Sequence, residues 1–358
     1  MEIQKQSEYR KNIARIKNIP EESVGNFDKV SWLEKGEKGT KSDVYSIVIK
    51  TPGAKSDPHI LKVYNREAID LSGNKSIYES YIDEKAMLTT ALRYEKVREI
   101  FPALQSDDDP FFDSNCALLV KEVEMRTLEQ ILVSNSTSKV NPILKSLETA
   151  AKFKNFGMKY VNDIEAEIKK CSNGVYEKIE KKTPELYAYS FAKHMGIVSP
   201  KSNRLNAQML FLDSARKYFD FDSFILNDFY SFNISPDRFI DVGEPKIGPQ
   251  ALMLGCLLGY PTVFNILKKE SISMDYLVNH FTERCQDYMD KDKLLKGTLL
   301  GGIYGNIRCA AGIKTRHPED KDTIKELISI AVVQAENLYD KDKTSHRLFS
   351  LLNNMEAK

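Results

Sequence analysis

The spacing of apolar residues along this chain changes character twice. Between residues 30 and 123 they come in short β-branched and aromatic runs: "SDVYSIVIKT" (42–51), "HILKVYN" (59–65) and "CALLVKEV" (116–123). Such runs predict strands. The stretch "TPGAKSDP" between the first two is a turn of Pro, Gly, Ser and Asp. Within the same region, 74–97 switches to a helical period. After 123 helical spacing dominates, with helices expected at about 126–134, 140–170, 184–196, 203–220, 250–258, 261–270, 273–289, 294–313 and 319–339. One β-rich island interrupts them, "FILNDFYSFNISPDRFIDVGEPKIGPQ" (224–250), with a tight hairpin around Ser235, Pro236 and Asp237. The pattern predicts an α+β chain in three parts. A helical N-terminal extension (1–27) lies on the surface, a small β-rich lobe with one helix follows (28–122), and a large, mainly helical lobe with one hairpin completes it (123–358). Ligand sites favour the cleft between two such lobes.

Polar residues in apolar patterns mark the candidate chemistry. Alternate strand residues share a face, so Ile60, Lys62 and Tyr64 point one way, and Lys62 is a charge among apolar neighbours. The following helix carries a stripe at Ile77, Tyr81, Glu84, Leu88 and Ala91, spaced so that all five share one face. Glu84 sits in the middle of it. An inward carboxylate needs a cation, and Lys62 is the expected partner. Glu79 is the rival and lies roughly 140° round the helix from Glu84. Gly36 and Gly39, between two candidate strands, suit either an ordinary turn or a loop whose backbone amides approach phosphate.

The β-rich island holds the strongest signal. Asp228 follows "FIL", Asn233 comes five residues later, and Asp241 ends the second strand of the hairpin, two before Gly243. This spacing suits phosphoryl transfer. A hydroxyl nucleophile needs a carboxylate to take its proton, and nucleotide phosphates need Mg²⁺ held by hard oxygens such as an Asp carboxylate and an Asn carbonyl.

At these residues the chain resembles the protein-kinase-like superfamily, and within it the small-molecule branch of aminoglycoside phosphotransferases and choline kinases. The matching elements run in the family's order: Gly36 to Gly39, Lys62, Glu84, "LLVKEVEMRTLEQIL" (118–132), "LNDFYSFN" (226–233) and "IDVGE" (240–244). The resemblance covers about 30–260 and implies a two-lobed protein-kinase-like fold. It also implies an ATP-dependent kinase acting on a hydroxyl of a small molecule, with Mg²⁺ as cofactor and ATP as co-substrate. By position, Asp228 becomes the catalytic base, while Asn233 and Asp241 become the metal ligands. Gly36, Gly39, Ile60, Lys62, Glu84 and the hinge residues Lys121, Glu122 and Val123 form the nucleotide site, with Ile60 against adenine. The chain departs from the family by carrying Leu226 and Asn227 where His-Gly is usual, and Val242 where an aromatic is usual.

Only about nine residues separate Asp241 from the helix expected at Gln250, which leaves no activation segment for docking a peptide. A small acceptor such as an amino alcohol, aminoglycoside, sugar or nucleoside is therefore expected. The alternatives are a pseudokinase or nucleotide-binding scaffold, and a kinase-like enzyme acting on protein. The rings of Tyr218, Phe219, Phe221, Phe224, Phe229, Tyr230 and Phe232 are either core or part of a substrate pocket. Asp220, Asp222, Glu244 and Arg308 are either solvated charges or substrate contacts.

Charge and composition narrow the class further. The 52 Lys and Arg balance 51 Asp and Glu, which argues against nucleic acid as a partner. No run approaches the roughly 20 apolar residues of a membrane span, and "MEIQKQSEYRKNIARIKNIP" lacks the apolar core of a secretory signal. Five scattered cysteines without a CxxC pair, and isolated histidines, suggest reduced thiols, a cytoplasmic location and no structural transition metal.

Overall fold

A computed structural model describes residues 3–29, 42–50, 56–65, 77–121, 126–134, 139–226, 229–240 and 245–356. By contacts the chain divides into two units, Met1–Met125 with Asn162–Lys178, and Arg126–Val161 with Ile179–Lys358.

The first unit is built on an antiparallel sheet. Its elements are α1 (Ile3–Lys17), β1 (Val24–Lys29), β2 (Ser42–Ile49), β3 (Asp57–Tyr64), α2 (Ile77–Leu92), α3 (Glu95–Arg98), β4 (Ala103–Leu104), α4 (Pro110–Ser114) and β5 (Ala117–Lys121). The strand order is β1-β2-β3-β5-β4. Alternation along the strands gives the sheet two apolar faces. Tyr45, Ile47, Leu61 and Leu119 share one face and pack with Tyr9 and Ile13 of α1. The N-terminal helix is thus built into this unit's core, and β1 already begins within 1–27.

Helix α2 is buried on every side from Ser80 to Ala91. Its polar residues are consequently all paired: Lys85 bridges to Asp113, and Thr89 donates to Asp107 at 2.8 Å. The helix expected over 74–97 ends at Leu92. There Arg93 pairs with Glu167 and the Tyr94 hydroxyl donates to Asp163 at 2.6 Å, and the chain resumes a short separate helix, α3, at Glu95.

The second unit contains α5 (Leu128–Val133), most of α6 (Val140–Cys171), α7 (Pro184–Val198), α8 (Arg204–Tyr218), β6 (Ser223–Leu226), β7 (Ile234–Ser235), β8 (Arg238–Phe239), β9 (Pro245–Gly248), α9 (Gln250–Leu258), α10 (Pro261–Lys269), α11 (Met274–Thr282), α12 (Lys291–Arg316), α13 (Lys321–Lys341) and α14 (His346–Glu356). The helical backbone of α6 is broken at Tyr160 (φ −118°, ψ 20°). The helix expected over 273–289 stops at Thr282, because the Asn155 side chain captures the backbone beyond it, donating to Arg284 O and accepting from Gln286 N.

Close packing of α9 on α12 depends on glycine. A Cβ on Gly255 would lie 2.4 Å from both Gly302 N and Thr298 O, so only a bare backbone fits. Gly301 and Gly305 of α12 serve the same contact, facing Ala251 and Cys256 of α9. No single helix among the described residues is long and apolar enough to cross a membrane.

Candidate active site

In the first unit, β3 aims Ile60, Lys62 and Tyr64 to the face opposite α1. Antiparallel pairing sets Val44 and Leu118 opposite Lys62, and Ser46 and Val120 opposite Ile60. Helix α2 turns Glu84 toward the same place. Lys62 Nζ lies 2.6 Å from Glu84 Oε1, with the Lys62 side chain 8% exposed and that of Glu84 2%. Glu84, not Glu79, is therefore the partner. The sequence pattern missed a third member. The Tyr64 hydroxyl donates to the second carboxylate oxygen of Glu84. Its signal was available, since Tyr64 shares the strand face of Lys62. Two donors satisfy the carboxylate, which is what allows it to be buried.

Glu84→Ala should destabilise the protein by about 3–5 kcal/mol, the cost of leaving a buried charge without its partner. Urea denaturation measures it. A loss below about 1 kcal/mol, the typical value for an arbitrary substitution, would mean that the pair does not stabilise this unit.

Lys121 ends β5 opposite His59, on the α1 side of the sheet, and its ammonium lies 3.1 Å from Asp57. Its side chain therefore points away from the Lys62 face, and only its main chain is available for a hinge contact. Gly36, Gly39, Glu122 and Val123 lie outside the described residues.

In the second unit, β6 and β9 form an antiparallel ladder whose last pair is Leu226 with Pro245. Asn227 and Asp228 follow β6, and Asp241 to Glu244 precede β9. These six residues lie outside the described ones, but the structure describes the framework on both sides of each segment. Between them, β7 and β8 pair Ile234 with Phe239. The hairpin extends by one more bond, Ile240 N donating to Asn233 O at 3.1 Å, and Asn233 N donates to Tyr230 O at 3.0 Å. Asn233 is thus fixed beside Ile240, the residue before Asp241.

Packing holds this hairpin from below. The ring centroid of Phe153 lies 5.0 Å from that of Phe224 and 4.9 Å from that of Phe239, and Phe229 packs on Phe239. Helix α6 approaches closely because Gly157 has no side chain. A Cβ there would stand 1.8 Å from the Phe224 ring. Thr149 Oγ1 of α6 also donates to Pro236 O at 2.8 Å, within the hairpin turn.

No protein-family profile matches the sequence, and no curated protein matches it significantly. Solved structures do match. An ethanolamine kinase of Plasmodium vivax superposes with a TM-score of 0.52 at 11% identity, covering 90% of this chain and 84% of its own. A candidate aminoglycoside phosphotransferase of Ralstonia eutropha superposes with a TM-score of 0.54 at 10% identity, covering 93% of this chain and 98% of its own. The fold is the α+β, kinase-like fold that these two structures share.

On this kinase-like fold, the aromatic stretch resolves mostly as core. Tyr218, Phe219, Phe224, Phe229 and Tyr230 are buried. Phe232 is half-buried and stacks on Tyr230, with Tyr260 edge-on to both. Asp220 and Asp222 are exposed and pair with Lys293 and Lys181. Arg308 is half-buried on α12. Burial, and after it the charge of Arg308, pushes the His194 imidazole down to about 4, so this ring is neutral at physiological pH. Glu244 lies outside the described residues. By residue type, the Asn233 amide and the Asp241 carboxylate are hard oxygen donors of the kind Mg²⁺ takes; the structure describes the backbone of Asn233, and Asp241 lies outside the described residues.

Proposed function

We propose that the protein is an ATP-dependent phosphotransferase that moves the γ-phosphate of ATP to a hydroxyl of a small molecule. The observation that carries this is the buried Lys62–Glu84 pair on a kinase-like fold, since a lysine fixed in this way is what such a fold uses to hold phosphates. In this reading the Lys62 ammonium steadies the α- and β-phosphates, and Ile60, on the same strand face, offers adenine an apolar surface. Asn233 and Asp241 hold Mg²⁺, which when bound neutralises charge on the phosphates. Asp228 accepts the proton of the acceptor hydroxyl while its oxygen attacks the γ-phosphorus. The bond to the β–γ bridging oxygen then breaks and ADP leaves.

The chain re-enters a paired strand at Pro245 and a helix at Gln250. So short a return supports a small acceptor rather than a peptide. The test is a panel of ethanolamine and other amino alcohols, aminoglycosides, sugars and nucleosides, with casein as the protein control, each incubated with Mg-ATP. At least one small hydroxyl compound should be phosphorylated and casein should not. If Mg-ATP binds and nothing is phosphorylated, the protein is a nucleotide-binding pseudokinase.

A further inference from the structure

Helix α5 begins with "TLEQ" (127–130), a complete capping box. Gln130 N donates to Thr127 Oγ1 at 3.1 Å, and Thr127 N donates to Gln130 Oε1 at 2.9 Å. The helix start therefore does not need Glu129, which is spared for another use. Its backbone N–H, one of the donors a helix start leaves unpaired, donates to Ser231 O at 3.0 Å. One oxygen of its carboxylate accepts from the Ser231 hydroxyl, and the other accepts from Thr262 at the start of α10. Ser231 is fully buried, so water does not substitute for this partner. In sequence Ser231 stands three residues after Asp228 and two before Asn233. The main-chain carbonyl and the hydroxyl of this residue, which stands between the proposed base and a proposed metal ligand, are thus both tied to one glutamate.

We propose that Glu129 is a positioning residue for phosphate transfer, holding the loop 229–233 in place through Ser231. The inference rests on the kinase reading above. Glu129 reaches no reacting atom. It acts by fixing the loop 229–233, which starts directly after Asp228 in the sequence and ends in Asn233, with Thr262 anchoring its carboxylate to α10. A displaced base costs rate far more than it costs nucleotide affinity.

The test compares Glu129→Ala, Ser231→Ala and the double variant, using the acceptor found in the panel. A hydrogen bond to a charged group is worth about 10–100-fold, so Glu129→Ala should lower kcat by about that factor while KM for Mg-ATP stays unchanged. The double variant should be no slower than the slower single one, because both remove the same link. Glu129→Gln, whose amide still bridges two hydroxyls, should recover most of the rate. Hydrogen exchange provides a readout independent of turnover: amides 229–233 should exchange faster in Glu129→Ala while α9 and α12 keep their protection. Unchanged kcat, or losses that simply multiply in the double variant, overturn the proposal. If the wild type transfers no phosphate, the kinase reading fails separately. The exchange data then decide alone, and unchanged protection of 229–233 in Glu129→Ala refutes the strut.

Discussion

Asp228→Asn is expected to lower kcat by about 10²–10⁴, the usual worth of a general base, while Mg-ATP binding stays nearly intact. The substitution keeps the size of the side chain and most of its hydrogen bonding, but an amide does not take the hydroxyl proton. The framework around position 228 argues that the loss is chemical and not structural. Leu226 is paired in β6 just before it, and Phe229, fully buried, packs on Phe239 just after it. A group that acts only in the transition state lowers kcat without weakening ground-state binding. Steady-state kinetics with calorimetric titration of Mg-ATP separates the two quantities. Equal turnover by the two proteins would remove Asp228 from the role of base.

Asp241→Ala should abolish Mg²⁺-dependent nucleotide binding. The loss should exceed the about 10–100-fold that removing a supporting partner of a metal ligand costs, because in the proposed site a ligand itself is removed. Asn233 alone would remain, a neutral donor for a divalent cation beside polyanionic phosphates. The fold should survive, since the hairpin before this segment is held by Thr149 and the Phe153 cluster, and β9 after it is paired with β6. Calorimetry with and without Mg²⁺ measures the effect. An unchanged Mg-ATP affinity would mean that Asp241 is not a ligand.

Much of this was legible because two periods intersect. A strand period of two put Lys62 on a face, a helical period put Glu84 in an inward stripe, and the only arrangement that spares two buried charges joins them. The hairpin around Ser235 was legible from Pro236 and Asp237, residues suited to turns. Tyr64 was harder to see, because a tyrosine in a strand looks like packing until its hydroxyl finds Glu84. Glu129 gave still less sign. A glutamate in the first turn of a helix is ordinary complement to the helix dipole, and only tertiary structure brings Ser231 and Thr262 to it. The attachment of 162–178 to the first unit was hidden for the same reason, since it depends on Arg93 and Tyr94 reaching Glu167 and Asp163. The final helix α14 went unpredicted. It buries Leu348, Leu351 and Leu352 on one side, but Ser350, Asn353 and Asn354 dilute its helical signal.

The central claim is that a phosphate moves from ATP to a small hydroxyl compound. The most direct measurement incubates the wild-type protein and Mg²⁺ with ATP labelled on either the γ- or the α-phosphate, together with the acceptor panel and casein, and follows the label. The account predicts that γ-label appears on a small acceptor, that α-label stays with ADP, and that casein remains unlabelled. Label from the α-phosphate on protein would instead reveal transfer of AMP and contradict the account.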